Sequence, residues 1–182
     1  VGSEMCIRDS VIGFGENNSH RVQHMDRIRR LQDRSLADGL IGFTSFIAWP
    51  VQLENNTFGK RNKGQNRIQL GAGAHEYLRH VAIARLFFDN ITHIQASWPT
   101  MGMGIAQLAL LAGADDAGST MMEENVVSAS GTTKTLAGED ELQRVISRAG
   151  FILQKRDSDY NHLETEIFTE GQLACPPPLQ PV

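Results

Sequence analysis

The sequence predicts an α/β protein built from parallel strands, and three observations carry that prediction. Short runs of β-branched and aromatic residues alternate four times with longer segments of helical period. Alternation of that kind means parallel strands joined by crossover helices. Glycines and polar side chains gather just past the apolar runs, which is where ligands bind in such proteins. Four units make either a small open sheet or half of an eight-stranded barrel, and periodicity does not separate the two.

Val1–Ser10 (VGSEMCIRDS) has no periodicity and is similar to peptides translated from sequencing adapters. Residues 1–10 are therefore expected to be non-native, with the gene cut short on its 5′ side, which favours the half barrel. Residues 11–165 are expected to form one domain, and the Pro-rich 166–182 an unstructured tail.

The first strand is placed at Val11–Phe14, ending in Gly13, Gly15 and the acid Glu16. Asn17, Asn18 and Ser19 offer N-cap side chains. The next helix carries Val22, Met25, Ile28 and Leu31 on one stripe, with Arg27, Arg29, Arg30 and Arg34 outside, and Asp38-Gly39 ends it. Ile41–Trp49 reads as a strand closed by Pro50. Gln52–Ala74 is a long polar loop with four glycines, and loops of that length are often functional.

A helix over His75–Asp89 aligns Tyr77, Val81, Ala84 and Phe88. Ile91–Trp98 reads as a strand in which Ile94, Ala96 and Trp98 alternate with Gln95 and Ser97. Pro99–Gly104 turns into a helix bearing Ile105, Leu108, Ala109 and Ala112. Ser119–Met122 is the fourth strand, and it runs into Glu123-Glu124-Asn125 and a hydroxyl-rich loop. A helix near Gly138–Ala149 turns Leu142, Val145, Ile146 and Ala149 inward, and Phe151–Gln154 is placed as a last short strand.

The bulk numbers narrow the function classes. The 182 residues suffice for one sizeable core. A net charge of −4 with mixed signs argues against a nucleic-acid surface. No apolar run reaches the ~18–20 residues of a membrane span, so no membrane insertion is expected. Two distant cysteines, Cys6 and Cys175, suit a reducing compartment such as the cytoplasm.

Several motifs fail on spacing. Gly13-Phe14-Gly15 and Gly102-Met103-Gly104 place Asn18 and Gln107 where G-x-G-x-x-G needs its third glycine. His75 and His80 are five apart, ~140° around a helix, which cannot chelate one metal. His20 and His24 share a face but have no third ligand, and surface positions are expected for them. No serine elbow or P-loop is present.

What remains is a polar set at strand ends: Thr44, Trp49 and Gln52; Gln95, Ser97 and Trp98; Thr120, Glu123, Glu124 and Asn125. Parallel neighbours would bring these to one rim. Amides and hydroxyls suit a ribose, and indoles suit stacking on an aromatic group, so these residues are expected to bind a small nucleoside-like molecule.

Gly42–Gln52 with Glu54-Asn55, Glu76–Arg85, Ile94–Trp98 and Ser119–Gly131 resemble the radical S-adenosylmethionine enzymes that make menaquinone precursors and deazaflavin. The similarity covers roughly Val11 to Leu163. Trp49, Gln52, Glu54 and Asn55 look like the futalosine-cyclising branch more than the deazaflavin- or aminofutalosine-forming branches. Lys134 departs from the pattern by standing where a histidine is expected, and the Gly64–Gly73 loop is unusual.

The resemblance implies a (β/α) barrel of which this chain is the C-terminal half. It implies a [4Fe–4S] cluster held by a Cys-x-x-x-Cys-x-x-Cys loop upstream, S-adenosylmethionine on that cluster, and an external electron donor. Val11–Glu16 resembles the family's fifth strand, which makes Ile12, Gly13, Gly15 and Glu16 expected cofactor contacts. The implied substrate is a modified nucleoside carrying a benzoate, with Glu123 or Glu124 accepting a proton. The chain lacks the cluster cysteines, so by itself it would be inactive. A rival reading is a non-catalytic α/β binding module.

Overall fold

The computed structural model describes residues 7–54, 57–62, 70–120 and 137–163. Three parallel strands, β1 (Ile7–Ile12), β2 (Ser45–Pro50) and β3 (His93–Gln95), form a sheet in the order β1-β2-β3. A parallel bridge from Gln95 to Asp116 adds a fourth strand position beside β3. The helices are α1 (Asn18–Ala37), α2 (Thr57–Arg61), α3 (Ala74–Phe87), α4 (Trp98–Met101), α5 (Met103–Leu111) and α6 (Glu139–Arg148). Chain neighbours are sheet neighbours throughout, as successive crossovers require. Among the described residues the sheet is an arc and does not close into a barrel.

Strand boundaries move from their expected places for identifiable reasons. β1 begins at Ile7 because β2 offers a free ladder from Ser45 onward, and Ser10 is only 5% exposed. The strand stops at Ile12 because Gly13 turns to φ +100°. β2 starts at Ser45 rather than Ile41, since Gly42 at φ +71° bends the chain and leaves Ile41 in solvent. β3 ends at Gln95, and Ser97 already caps α4. The fourth position pairs at Asp116, not at Ser119, because Gly118 at φ +84° ends the extended run; Met121 and Met122 lie outside the described residues. No strand forms over residues 151–154, where Ile152 is 91% exposed.

One face of the sheet makes the core. Phe46, Ala48, Ile94 and Ala96 pack with Met25 and Ile28 of α1, Tyr77, Val81 and Ala84 of α3, and Ala109 and Leu110 of α5. Phe46 and Phe88 meet at 4.8 Å between ring centres. Burying each large apolar side chain contributes roughly 1.5–3 kcal/mol. The expected stripe of α3, with Phe88 just past its end, is fully buried.

The buried face of α1 is rotated from the expected one. Met25 and Ile28 are inside, but Val22 and Leu31 are 45% and 40% exposed, and Arg21 and Gln32 are buried in their place. Both polar side chains are compatible with burial because their hydrogen-bonding groups are occupied. Gln32 donates from Nε2 to the carbonyls of Phe43 (2.9 Å) and Asn90 (3.0 Å) and accepts from Phe43 N–H (2.5 Å). The helix itself starts as expected: Asn17 Oδ1 accepts from His20 N–H, and His20 Nδ1 accepts in return from Asn17 N–H. α5 likewise turns Ala106, Ala109 and Leu110 inward and leaves Leu108 exposed, because small residues allow its close approach to α3. In α6, Leu142 and Val145 are buried, with Ile146 and Ala149 packed partly against the core.

His20 and His24 lie on the surface, whereas His80 is buried with Nε2 unpartnered. Burial pushes the His80 imidazole from the ordinary 6.5 down to about 4, helped by the charges of Arg21 and His24 and opposed by Glu16. Between those two values the unfolded chain binds a proton that the folded chain refuses. The stability from this site is therefore full above pH ~6.5 and falls by about 3 kcal/mol as the pH drops toward 4. Urea unfolding from pH 7 to 4 is expected to show that decline, and His80→Leu to flatten it. An unchanged slope in the variant would assign the acid sensitivity to other groups.

Candidate functional site

The carboxyl ends of the strands form the rim. After β1, the Glu16 carboxylate accepts from Gly13 N–H (2.9 Å) and Phe14 N–H (2.7 Å) and pairs with Arg21 (2.7 Å). Arg21 reaches on to Glu76 at 3.2 Å. Burial works against the Glu16 charge, but the Gly13 N–H, Arg21 and the Phe14 N–H outweigh it and hold the carboxyl below its usual range. Gly13 must be glycine here. Its carbonyl accepts from Gly71 N–H at 2.7 Å, and a Cβ on Gly13 would meet the Gly71 backbone at 2.7 Å. Ile12 and Gly13 are buried and Glu16 is half-buried, so of the four expected cofactor contacts only Gly15 is exposed.

Past β2 lies an open cleft of ≈ 570 Å³, bounded by residues 50–54, residues 70–73, Glu76, Thr100 and Met101. Gln52 lines it and donates to the Pro50 carbonyl at 3.0 Å. Trp49 and Gln95 occupy the sheet face turned away from the helices. Gln95 is in register with Ile47, and Trp49 is two residues further along the same strand as Ile47. Phe46, Ala48 and Ile94, on the opposite alternation, are in the helical core. Trp49 Nε1 and Gln95 Oε1 are both buried without a hydrogen-bond partner. A buried donor and a buried acceptor left open on adjacent strands cost stability unless water or a ligand satisfies them.

Other expected rim residues have structural roles. Ser97 is fully buried, its N–H donates to Tyr77 Oη at 2.8 Å, and its hydroxyl bonds Thr100 at 2.7 Å. Burial pushes the Tyr77 phenol up to about 12, so it stays protonated. Trp98 is a core residue whose indole N–H donates to the Ser119 carbonyl at 3.3 Å, so it is not a stacking platform. Thr44 precedes β2 at the sheet's opposite end, where its carbonyl accepts from His93 N–H. Thr120 is exposed, and Glu123, Glu124 and Asn125 lie outside the described residues.

Sequence reasoning passed over one cluster next to Gln95. Asp116 accepts from Arg156 (2.6 Å), from the Tyr160 hydroxyl (2.7 Å) and from Gly118 N–H (2.9 Å). Its local signal was an acid two residues before a glycine, an Asx-turn pattern, but partners 40 and 44 residues away leave no trace in spacing. Among the described residues no three His, Cys, Asp or Glu side chains converge as a metal site. The chain's two cysteines cannot supply the three thiolates of a Cys-x-x-x-Cys-x-x-Cys loop, so an iron–sulfur cluster does not fit these residues alone.

A parallel α/β arc with an open polar rim defines the class, and sequence comparison defines the family. The family described as the CofH/MqnC C-terminal region matches residues 40–167, and the chain belongs to it. It is 43% identical over 153 residues to cyclic dehypoxanthine futalosine synthase of Streptomyces coelicolor, covering 84% of this chain and 35% of that protein. It is 42% identical to the enzyme of the same name from Halalkalibacterium halodurans, over 85% of this chain and 38% of that one. A 5-amino-6-(D-ribitylamino)uracil–L-tyrosine 4-hydroxyphenyl transferase of Methanosphaerula palustris is 37% identical, over 82% and 39%. The chain thus spans little more than a third of the length of the curated relatives it matches.

Proposed function

We propose that this chain is the C-terminal part of a radical S-adenosylmethionine enzyme that cyclises dehypoxanthine futalosine in menaquinone biosynthesis. Identity to the two synthases, 43% and 42%, exceeds the 37% to the transferase and supports the cyclising branch. The observation that carries a binding role is the open pair on the inner sheet face, Trp49 Nε1 and Gln95 Oε1. In this reading the indole N–H donates to a substrate oxygen and the Gln95 amide accepts from a ribose hydroxyl, while Gln52 lines the cleft past β2 and Thr120 lies exposed past the fourth strand position. The cluster with S-adenosylmethionine supplies hydrogen-abstracting chemistry when bound, on cysteines contributed from outside this chain, and an electron donor must reduce it. The exposed backbone at Gly15 borders that cofactor, and Gly13 and Glu16 keep the turn in shape. Glu123 or Glu124 takes the proton released when the aromatic ring is restored.

The full-length enzyme tests this. Gln95→Ala and Trp49→Phe are each expected to raise KM for dehypoxanthine futalosine about tenfold, the value of one hydrogen bond of ~1.4 kcal/mol. Glu123→Gln or Glu124→Gln is expected to lower kcat by on the order of 10²-fold. Wild-type kinetics in the first pair would end the binding role, and in both glutamate variants would end the base. A second reading follows the transferase relative and makes the deazaflavin branch the home of this chain; turnover of that branch's substrate in place of dehypoxanthine futalosine would establish it. In the gene, an in-frame Cys-x-x-x-Cys-x-x-Cys upstream of residue 11 is expected, and a start codon near Val11 without it would mark a binding module.

A further inference from the structure

Gln95 does not stand alone on the inner face. A Cβ built on Gly118 would lie 3.0 Å from Gln95 Nε2, so the amide rests directly against the Gly118 backbone. Gly118 takes φ +84°, and its N–H is held by Asp116 Oδ1 at 2.9 Å. The Asp116 main chain brackets Gln95 as well. Its carbonyl accepts from Ala96 N–H at 2.7 Å, and Ile94 O accepts from both Asp115 N–H and Asp116 N–H. Whatever orients the Asp116 carboxylate therefore orients the wall against which Gln95 lies.

That carboxylate is oriented from the far end of the chain. Arg156 and Tyr160 both bond its Oδ2, and the Arg156 guanidinium lies 4.0 Å over the Tyr160 ring. The Tyr160 ring in turn stacks on His93 of β3 at 4.3 Å. An antiparallel bridge between Arg156 and His162 closes the turn, and Asp157 Oδ1 accepts from Asp159 and Asn161 N–H within it. Tyr160 sits at φ +63°, the one non-glycine residue with positive φ among those described. A tyrosine in that region costs of order 1 kcal/mol or more, a strain kept only where surrounding contacts require it.

We infer that Asp116, clamped by Arg156 and Tyr160, is a positioning unit that holds the Gln95 amide in place through Gly118. The inference rests on the reading of Gln95 as a substrate-binding residue. In this inference Asp116 and the two residues that clamp it act through Gln95 as positioning residues.

A double-mutant cycle in the full-length enzyme tests it, reading the equilibrium Kd for dehypoxanthine futalosine without turnover. Gln95→Ala is expected to raise Kd about tenfold and Tyr160→Phe about fivefold, as for loss of roughly one hydrogen bond each. In the Gln95→Ala background Tyr160→Phe is expected to add nothing, although both backgrounds lose the same few degrees of melting temperature. An equal Tyr160→Phe factor in both backgrounds, or none while Gln95→Ala still weakens binding, overturns the inference and leaves the site reading intact. No effect of Gln95→Ala overturns both. Should Tyr160→Phe fail to fold, Gly118→Ala, which pushes on the amide directly, and Arg156→Lys run the same cycle with the same criteria.

Discussion

Arg21→Met is expected to lower the melting temperature by about 6–10 °C, from a loss of roughly 2–3 kcal/mol in a domain of this size. Arg21 is the cation between two carboxylates, Glu16 at 2.7 Å and Glu76 at 3.2 Å, and its side chain is 9% exposed. Removing it leaves Glu16 largely out of water and facing a like charge. Partial solvent access to Glu76 keeps the loss below that of a fully buried pair. The variant also changes the acid response. The wild-type Glu16 carboxyl is held below its usual range, so its stability is present at neutral pH and is lost as the pH falls through the folded value. Without Arg21 that loss begins at higher pH. Adding Glu16→Gln to Arg21→Met is expected to restore part of the stability, since the stranded charge goes with it. A melting temperature within 2 °C of wild type would show that the Gly13–Glu16 turn does not depend on the pair.

Gln32→Leu is expected to cost about 4 kcal/mol in urea unfolding, among the larger effects of a single change in this chain. The substitution preserves volume but strands the Phe43 N–H and the Phe43 and Asn90 carbonyls, which the one amide now satisfies. Unpaired buried groups cost ~1–3 kcal/mol each, with some relief from water where the site opens. Gln23→Leu on the exposed side of the same helix serves as the control and is expected to stay within ~0.5 kcal/mol. Equal effects at the two positions would remove the clamp from the account of how α1 docks against the starts of β2 and β3.

The elements that sequence reasoning placed well are those decided by neighbours along the chain. Asn17 caps α1 because its partner, His20, is three residues away. Tyr77, Val81, Ala84 and Phe88 fall on one buried face because a helix repeats every 3.6 residues. The parallel order β1-β2-β3 follows from strands separated by helices. The misplacements share a different cause. α1 buries Arg21 and Gln32 in preference to Val22 and Leu31 because, besides Glu16 and Phe43 nearby, each is held by a partner 55 or 58 residues away, Glu76 and Asn90. Trp98 looked like a rim aromatic, but it turns into the core where the chain enters α4. Thr44 looked like part of the rim because Gly42 was not foreseen as the bend that delays β2.

At the candidate site the division is the same. Residue types and their positions at the strand ends marked Trp49, Gln52 and Gln95, and residue similarity along the chain marked the family. Which of these side chains keep an open hydrogen-bonding atom was decided only by the tertiary structure, which satisfies Ser97 and Trp98 internally and leaves Trp49 Nε1 and Gln95 Oε1 open. Local spacing carries the period of an element. It carries nothing about the remote partner that makes burying a polar group affordable, and here those partners decide which side chains are satisfied as scaffold and which keep an open hydrogen-bonding atom.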